Sequence, residues 1–114
     1  MYNRGMDDSD AVLLEAIVER VVETAAPEQV ILFGSRARGD AHRDSDFDLL
    51  IIKDGTYHKR ELASLVHRHF RGVPASVDLV FVTPEEAARA RNQFWTVVHP
   101  AMKEGIVVYG RAAA

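Results

Sequence analysis

The sequence predicts an α/β fold: a small mixed β-sheet with helices packed mainly on one face. Three observations carry that prediction. Four short segments, Val30–Phe33, Asp46–Lys53, Ser76–Val82 and Ile106–Tyr109, have strand length, apolar interiors and turn residues at their borders. Around them lie segments whose apolar residues recur every three or four positions, the period of a helix. The second and third strands are separated by a helical stretch, the order of a βαβ unit. They are therefore expected to run parallel, joined by a right-handed crossover.

Asp7-Asp8-Ser9-Asp10 supplies capping side chains and negative charge for a helix start. Leu13, Leu14, Ile17, Val18, Val21 and Val22 then form an apolar stripe, with Glu15, Glu19, Arg20 and Glu23 on the other face. A helix over about 9–25 follows, stopped by Pro27. After the first strand a short helix begins at Ser35, and Gly39 ends it as a C-terminal cap. Residues 40–45 read as a loop. In the second strand Leu50 and Ile52 share a face with the aspartates, and Phe47, Leu49 and Ile51 share the other. Asp54-Gly55 marks a turn, and Thr56 is placed to cap a helix reaching about Phe70, broken by Gly72 and Pro74. Thr83-Pro84-Glu85-Glu86 reads as a capping box with proline at the first helical position, leading a helix to about Arg91. Phe94–Lys103 has a helical pattern that Pro100 must kink or restart, and Gly105 ends it. The last strand is expected at a sheet edge.

At 114 residues the chain has the size of a single domain, 1–114, with a core over about 10–109. No run approaches the ~20 apolar residues of a membrane span. The first six residues lack the apolar segment of a signal peptide. Cysteine is absent, which fits a reducing compartment, so the expected location is cytoplasmic. A net charge of −3 supplies no basic field for nucleic acid.

The chemistry concentrates between Val30 and Lys53. The first strand stops at Gly34-Ser35, where a helix start can receive phosphate. Gly34 has no Cβ to hold a phosphate off the backbone, and the Ser35 hydroxyl can donate to a phosphate oxygen. Ten residues later, after 36–45, Asp46 and Asp48 head the second strand. Being two apart, they leave the same face with Cα atoms about 6.6 Å from each other. Carboxylates so placed can converge on two Mg²⁺ ions about 3.5–4 Å apart. Taken singly, a Gly-Ser loop or a solvated Asp-x-Asp strand start is commonplace; the combination between two buried strands is not.

Asp78 is the odd residue of its strand, set among Val77, Leu79, Val80 and Phe81. An unpaired carboxylate there is costly, so it calls for a partner or a cation. One reading pairs it with an arginine. The other stands it beside Asp46 or Asp48 on a parallel neighbour. Like charges ~4 Å apart repel by about 4 kcal/mol at an effective dielectric of 20, so three carboxylates gather with reason only around cations. Five histidines add little. His67 and His69, two apart on a helix, do not share a face. His42 reads as a solvated loop residue, and His58 and His99 carry no signal.

The pattern Gly34-Ser35-Arg36-Ala37-Arg38-Gly39-Asp40 leading to Asp44-Ser45-Asp46-Phe47-Asp48-Leu49 resembles the signature of the polymerase-β-like nucleotidyltransferase superfamily, and within it the minimal nucleotidyltransferase (MNT) domains. The resemblance spans roughly residues 10–109. It implies that Asp46, Asp48 and Asp78 are catalytic and hold two Mg²⁺ ions. It also implies that ATP is the substrate, held by Gly34, Ser35, Arg36 and Arg38. Ion pairs of either arginine with Asp40 or Asp44 are an equal reading. Larger relatives carry a second domain for the acceptor, and only five residues follow Tyr109 here. MNT proteins typically act as antitoxins of an all-helical HEPN-type toxin, a ribonuclease. The implied acceptor is then a hydroxyl of that partner, a tyrosine above all, modified within a hetero-oligomer; Phe94 and Trp95 are candidate interface anchors. The alternative is a binding antitoxin or nucleotide-sensing module that neutralises its partner by contact.

Overall fold

The computed structural model describes residues 6–42, 45–90 and 98–110. Its elements run in the order α1 (Asp8–Ala25), β1 (Gln29–Phe33), α2 (Ser35–Arg38), β2 (Phe47–Ile52), α3 (Lys59–Arg68), β3 (Val77–Val82), α4 (Pro84–Ala90), α5 (Val98–Glu104) and β4 (Ile106–Tyr109). The strands form one four-stranded sheet in the order β3-β2-β1-β4. β2 and β3 are parallel, as the βαβ reading requires, and β1 is antiparallel to both β2 and β4. β4 lies at the sheet edge as expected, and β3 forms the opposite edge.

Alternation along the strands sorts the core into two layers. Val30, Leu32, Phe47, Leu49, Ile51, Val77 and Phe81 face α1 and α3, meeting Leu14, Ile17, Val21, Val66 and Phe70. Ile31, Leu50, Ile52 and Val82 face the other way, toward Ala87 of α4 and Ala101 of α5. The two longer helices thus share one face, and small alanine side chains seat the short α4 and α5 on the other. The first layer is the larger and holds most of the fully buried side chains, so it carries most of the apolar stabilisation, at roughly 25 cal/mol per Å² of buried surface.

Local signals account for most of the boundaries. The Asp7 carboxylate caps α1, accepting the Asp10 N–H at 2.8 Å and the Ser9 hydroxyl at 2.8 Å. These hydrogen bonds hold its pKa below the ordinary value. Gly39, at φ +83°, ends α2 and donates its N–H to the Ser35 carbonyl at 3.0 Å. At α4 the Glu86 N–H donates to Thr83 Oγ1 at 3.2 Å, and the Thr83 N–H donates to Glu86 Oε1 at 2.8 Å, the reciprocal pair of a capping box.

α3 departs from expectation at its start. It begins at Lys59 after an extended His58, so Thr56 is not its cap. Tyr57 is the reason. Its ring meets Phe81 edge-on at 6.2 Å, and its hydroxyl donates to the carbonyls of Lys53 at 3.1 Å and Val82 at 3.3 Å. That anchoring keeps the segment extended across the ends of β2 and β3. The end of the helix predicted to Arg91, and the first half of the one predicted over Phe94–Lys103, lie outside the described residues. Pro100 sits in the first turn of α5 as described, where a missing N–H is tolerated.

Candidate active site

The sheet register brings the key groups into one row. Phe33, the last residue of β1, pairs with Asp48, and Asp48 pairs with Asp78 on β3. Gly34 follows Phe33 directly, so the row reads Gly34, Asp48, Asp78 across three strands. Asp48 and Asp78 share the sheet face of Leu50, Ile52 and Val82. Asp46 lies just outside β2, is exposed, and has the same parity as Asp48.

Asp48 is the electrostatic centre of this row. Its pKa is raised above the ordinary 3.8, first by partial burial, then by the charge of Asp78 and a hydrogen bond with it, then by the charge of Asp46. Arg38 opposes these effects more weakly. The carboxylates are therefore close enough for Asp78 and Asp46 to repel the Asp48 charge.

Gly34 is required by this crowding. Its φ is +77°, a left-handed conformation that side chains rarely adopt, and a Cβ there would run into the Asp48 carboxylate. Glycine lets the turn at the head of α2 lie directly against that carboxylate.

The two arginines of α2 go to different sides. Arg38 is exposed, pairs with Asp40 at 3.3 Å, and stands near enough to Asp48 to act on its charge. Arg36 is buried, with 7% of its surface exposed. Its guanidinium stacks over the Phe47 ring at 4.1 Å, pairs with Asp10 of α1 at 3.0 Å, and donates to the Ser45 carbonyl through Nε at 3.0 Å and Nη2 at 2.7 Å. Because Phe47 faces α1 and α3, Arg36 lies on the side of the sheet away from Asp48. Of the carboxylates weighed as arginine partners, Asp40 takes Arg38, and Asp44 lies outside the described residues. Asp10 is distant in sequence and joins Arg36 only through the packing of α1 on this side of the sheet.

Two grooves are lined by neighbours of Asp48 in the row. A small one of about 200 Å³ is lined by Gly34, Arg38, Phe33, Ala37, Pro100 and Glu104. A larger, open one of about 580 Å³ runs beyond Asp78, lined by Asp46 and Asp78 together with His67, Arg68 and Arg71. Arg68 and Arg71 carry no signal in the motifs of the sequence. The available signal was a pair of arginines three apart at the end of a helix, just before the strand that carries Asp78.

An all-oxygen carboxylate donor set suits Mg²⁺. The mutual repulsion at Asp48 is the kind a cation relieves, and the glycine turn leaves room beside it. The residues therefore fit divalent metal, although among the described residues no three acidic or histidine side chains are already gathered as a ligand set.

The family model for the nucleotidyltransferase domain matches residues 14–108. The chain belongs to that family, the one its Gly-Ser and Asp-x-Asp motifs resemble. No curated protein sequence is similar enough to count as a relative. Solved structures share the fold. A chain of a toxin–antitoxin complex crystallised with AMP-PNP aligns with a TM-score of 0.60 at 19% identity, over 85% of this chain and 73% of that one. A chain of the toxin–antitoxin pair MntA–HpeT, in a mutant form with two aspartates changed to glutamate, gives a TM-score of 0.63 at 17% identity with the same coverages. A protein from Sulfolobus solfataricus, provisionally assigned as a nucleotidyltransferase, gives 0.56 at 26% identity, over 96% of this chain and 94% of that one.

Proposed function

We propose that the chain is a Mg²⁺-dependent nucleotidyltransferase that moves AMP from ATP to a hydroxyl of a partner protein. The observation that carries this reading is the row Gly34, Asp48, Asp78, with Asp48 pressed against both neighbours. Asp46, Asp48 and Asp78 would hold two Mg²⁺ ions. When bound, these ions supply charge neutralisation at the triphosphate and a lowered pKa for the acceptor hydroxyl.

The chain's own groups divide the remaining work. Gly34 and Ser35 receive the β- and γ-phosphates at the mouth of the small groove. Asp78, exposed at the sheet edge, takes the acceptor's proton as general base. The acceptor oxygen forms its bond to the α-phosphorus as the bond from that phosphorus to the β-bridging oxygen breaks. The electron pair leaves with pyrophosphate, whose charge the Arg38 guanidinium offsets. Arg36 supports this from behind by fixing α2 to Phe47, the residue between the two aspartates.

The motif's likeness to MNT domains and the two toxin–antitoxin structures of the same fold support a biological setting. The partner is read as a HEPN-type toxin, and the chain as its antitoxin, acting in the cytoplasm within a hetero-oligomer. No described helix is long and apolar enough to cross a membrane. AMP on a tyrosine near a ribonuclease site would set bulk and negative charge where RNA phosphates must bind.

Labelled ATP with Mg²⁺ tests the reading when offered with the chain alone, with the HEPN partner, and with small hydroxylated acceptors. Label is expected on the partner. The double substitution Asp46→Asn/Asp48→Asn should abolish both labelling and neutralisation. Full neutralisation by that variant would establish the contact-only antitoxin instead.

A further inference from the structure

The groove beyond Asp78 is lined by side chains of both charges, Asp46 and Asp78 together with Arg68 and Arg71, with His67 beside them. The described ion pairs join Arg36 to Asp10, Arg38 to Asp40 and Lys59 to Glu86; neither Arg68 nor Arg71 takes part in one. Both arginines are exposed. They end a basic stretch: residues 58–72 hold four cationic side chains against one carboxylate, in a chain whose net charge is −3. This arginine pair lines a groove of about 580 Å³ together with two aspartates, yet has no ion-pair partner among the described residues. Its donors are open to water and to whatever enters the groove.

We propose that this groove is the acceptor site, and that Arg68 and Arg71 select an acceptor hydroxyl carried on an acidic protein segment. The inference rests on the transferase reading for its chemistry and adds the identity of the acceptor's surroundings. The groove opens on the Asp78 side, whereas Gly34 and Arg38 line the other groove. Nucleotide and acceptor are thus given separate grooves, each lined by a neighbour of Asp48 in the row, Gly34 in one and Asp78 in the other. An acceptor hydroxyl reaching Asp78 from this side must pass the arginines, and carboxylates flanking that hydroxyl would meet them. Nucleic acid is the less fitting occupant, because the net negative charge of the whole chain works against a polyanion's approach, while a short acidic segment feels mainly the nearby arginines.

The test uses the full chain and tyrosine peptides flanked by glutamate, alanine or lysine. Transfer from ATP is followed at saturating Mg²⁺, and anisotropy of fluorescein-labelled peptides with a non-hydrolysable ATP analogue follows binding. Glutamate-flanked peptides should bind and react with a KM about tenfold lower than lysine-flanked ones. Arg68→Ala/Arg71→Ala should raise the acceptor KM about tenfold with the ATP KM unchanged, and Arg68→Glu/Arg71→Glu should reverse the flank preference. A merely structural role would not produce that reversal. Binding of acidic peptides that depends on the arginines, with no transfer to any acceptor, would uphold the groove and overturn the transferase reading. Transfer indifferent to flanking charge and to both arginines would overturn the groove alone. An RNA oligonucleotide that outcompetes the acidic peptide and is lost with the same arginines would also overturn it.

Discussion

Replacing Asp48 by asparagine should stabilise the metal-free protein. In the native row, Asp48 stands in hydrogen-bonding reach of Asp78 and feels Asp46 as well. Two carboxylates ~4 Å apart repel by about 4 kcal/mol at an effective dielectric of 20. Asp78 is exposed and Asp48 only partly buried, so water screens most of this, leaving a net of about 1 kcal/mol. For a domain of about 100 residues that corresponds to a rise of about 4–8 °C in Tm. The sign follows from linkage. A raised folded pKa means that the protonated carboxyl favours the fold below 3.8, and that this contribution is lost as pH rises through the raised value. Asp48→Asn removes the loss, so its advantage is absent at acid pH, grows through that window and is constant above it. Thermal melts in EDTA across this range measure the effect. Adding Mg²⁺ with ATP should then reverse the order, raising the Tm of the native chain and leaving the variant where it was. A variant less stable than the native chain at neutral pH in EDTA, or a difference that does not change with pH, would refute the clustering of charge on which the site is built.

Two further outcomes are expected. Gly34→Ala must accommodate a φ of +77° and a methyl group driven into the Asp48 carboxylate. It should lose about 1–3 kcal/mol in urea melts and transfer should fall by at least about 100-fold, as a displaced reacting group does. Arg36→Met should cost about 1–3 kcal/mol, because it breaks the pair of a buried guanidinium with a half-buried carboxylate and removes the donor to the Ser45 carbonyl. Arg36→Lys should not restore stability, since an ammonium cannot stack on Phe47 while bridging both oxygens. If Arg36 acts from behind the sheet, the ATP KM of the folded variants should change far less than it does for Arg38→Ala.

Much of the site was legible because its logic is local. A glycine at a strand end and two aspartates two apart at the head of the next strand place themselves through chain geometry alone. The parity of Leu50 and Ile52 with Asp48 follows from the same alternation. Asp78 was legible for a different reason: a lone carboxylate in an apolar strand asks for company, and the βαβ order made β2 its neighbour. The capping box at Thr83 and the Gly39 stop were readable for the same local reasons.

What remained needed distant parts of the chain to meet. Nothing in Arg36-Ala37-Arg38 says which arginine turns inward. The choice was made by Asp10 of α1 and the Phe47 ring of β2, which meet the guanidinium on one side of the sheet. The start of α3 was likewise set from outside, by the Val82 carbonyl and the Phe81 ring that hold Tyr57. Arg68 and Arg71 acquired meaning only when the parallel pairing of β2 and β3 brought Asp46 and Asp78 to the groove that these arginines line. Backbone preference and side-chain alternation act over a few residues, so the sequence alone determined most of the elements and the face that the aspartates share. Burial and charge pairing act between residues far apart in the chain, and these decided where each arginine went.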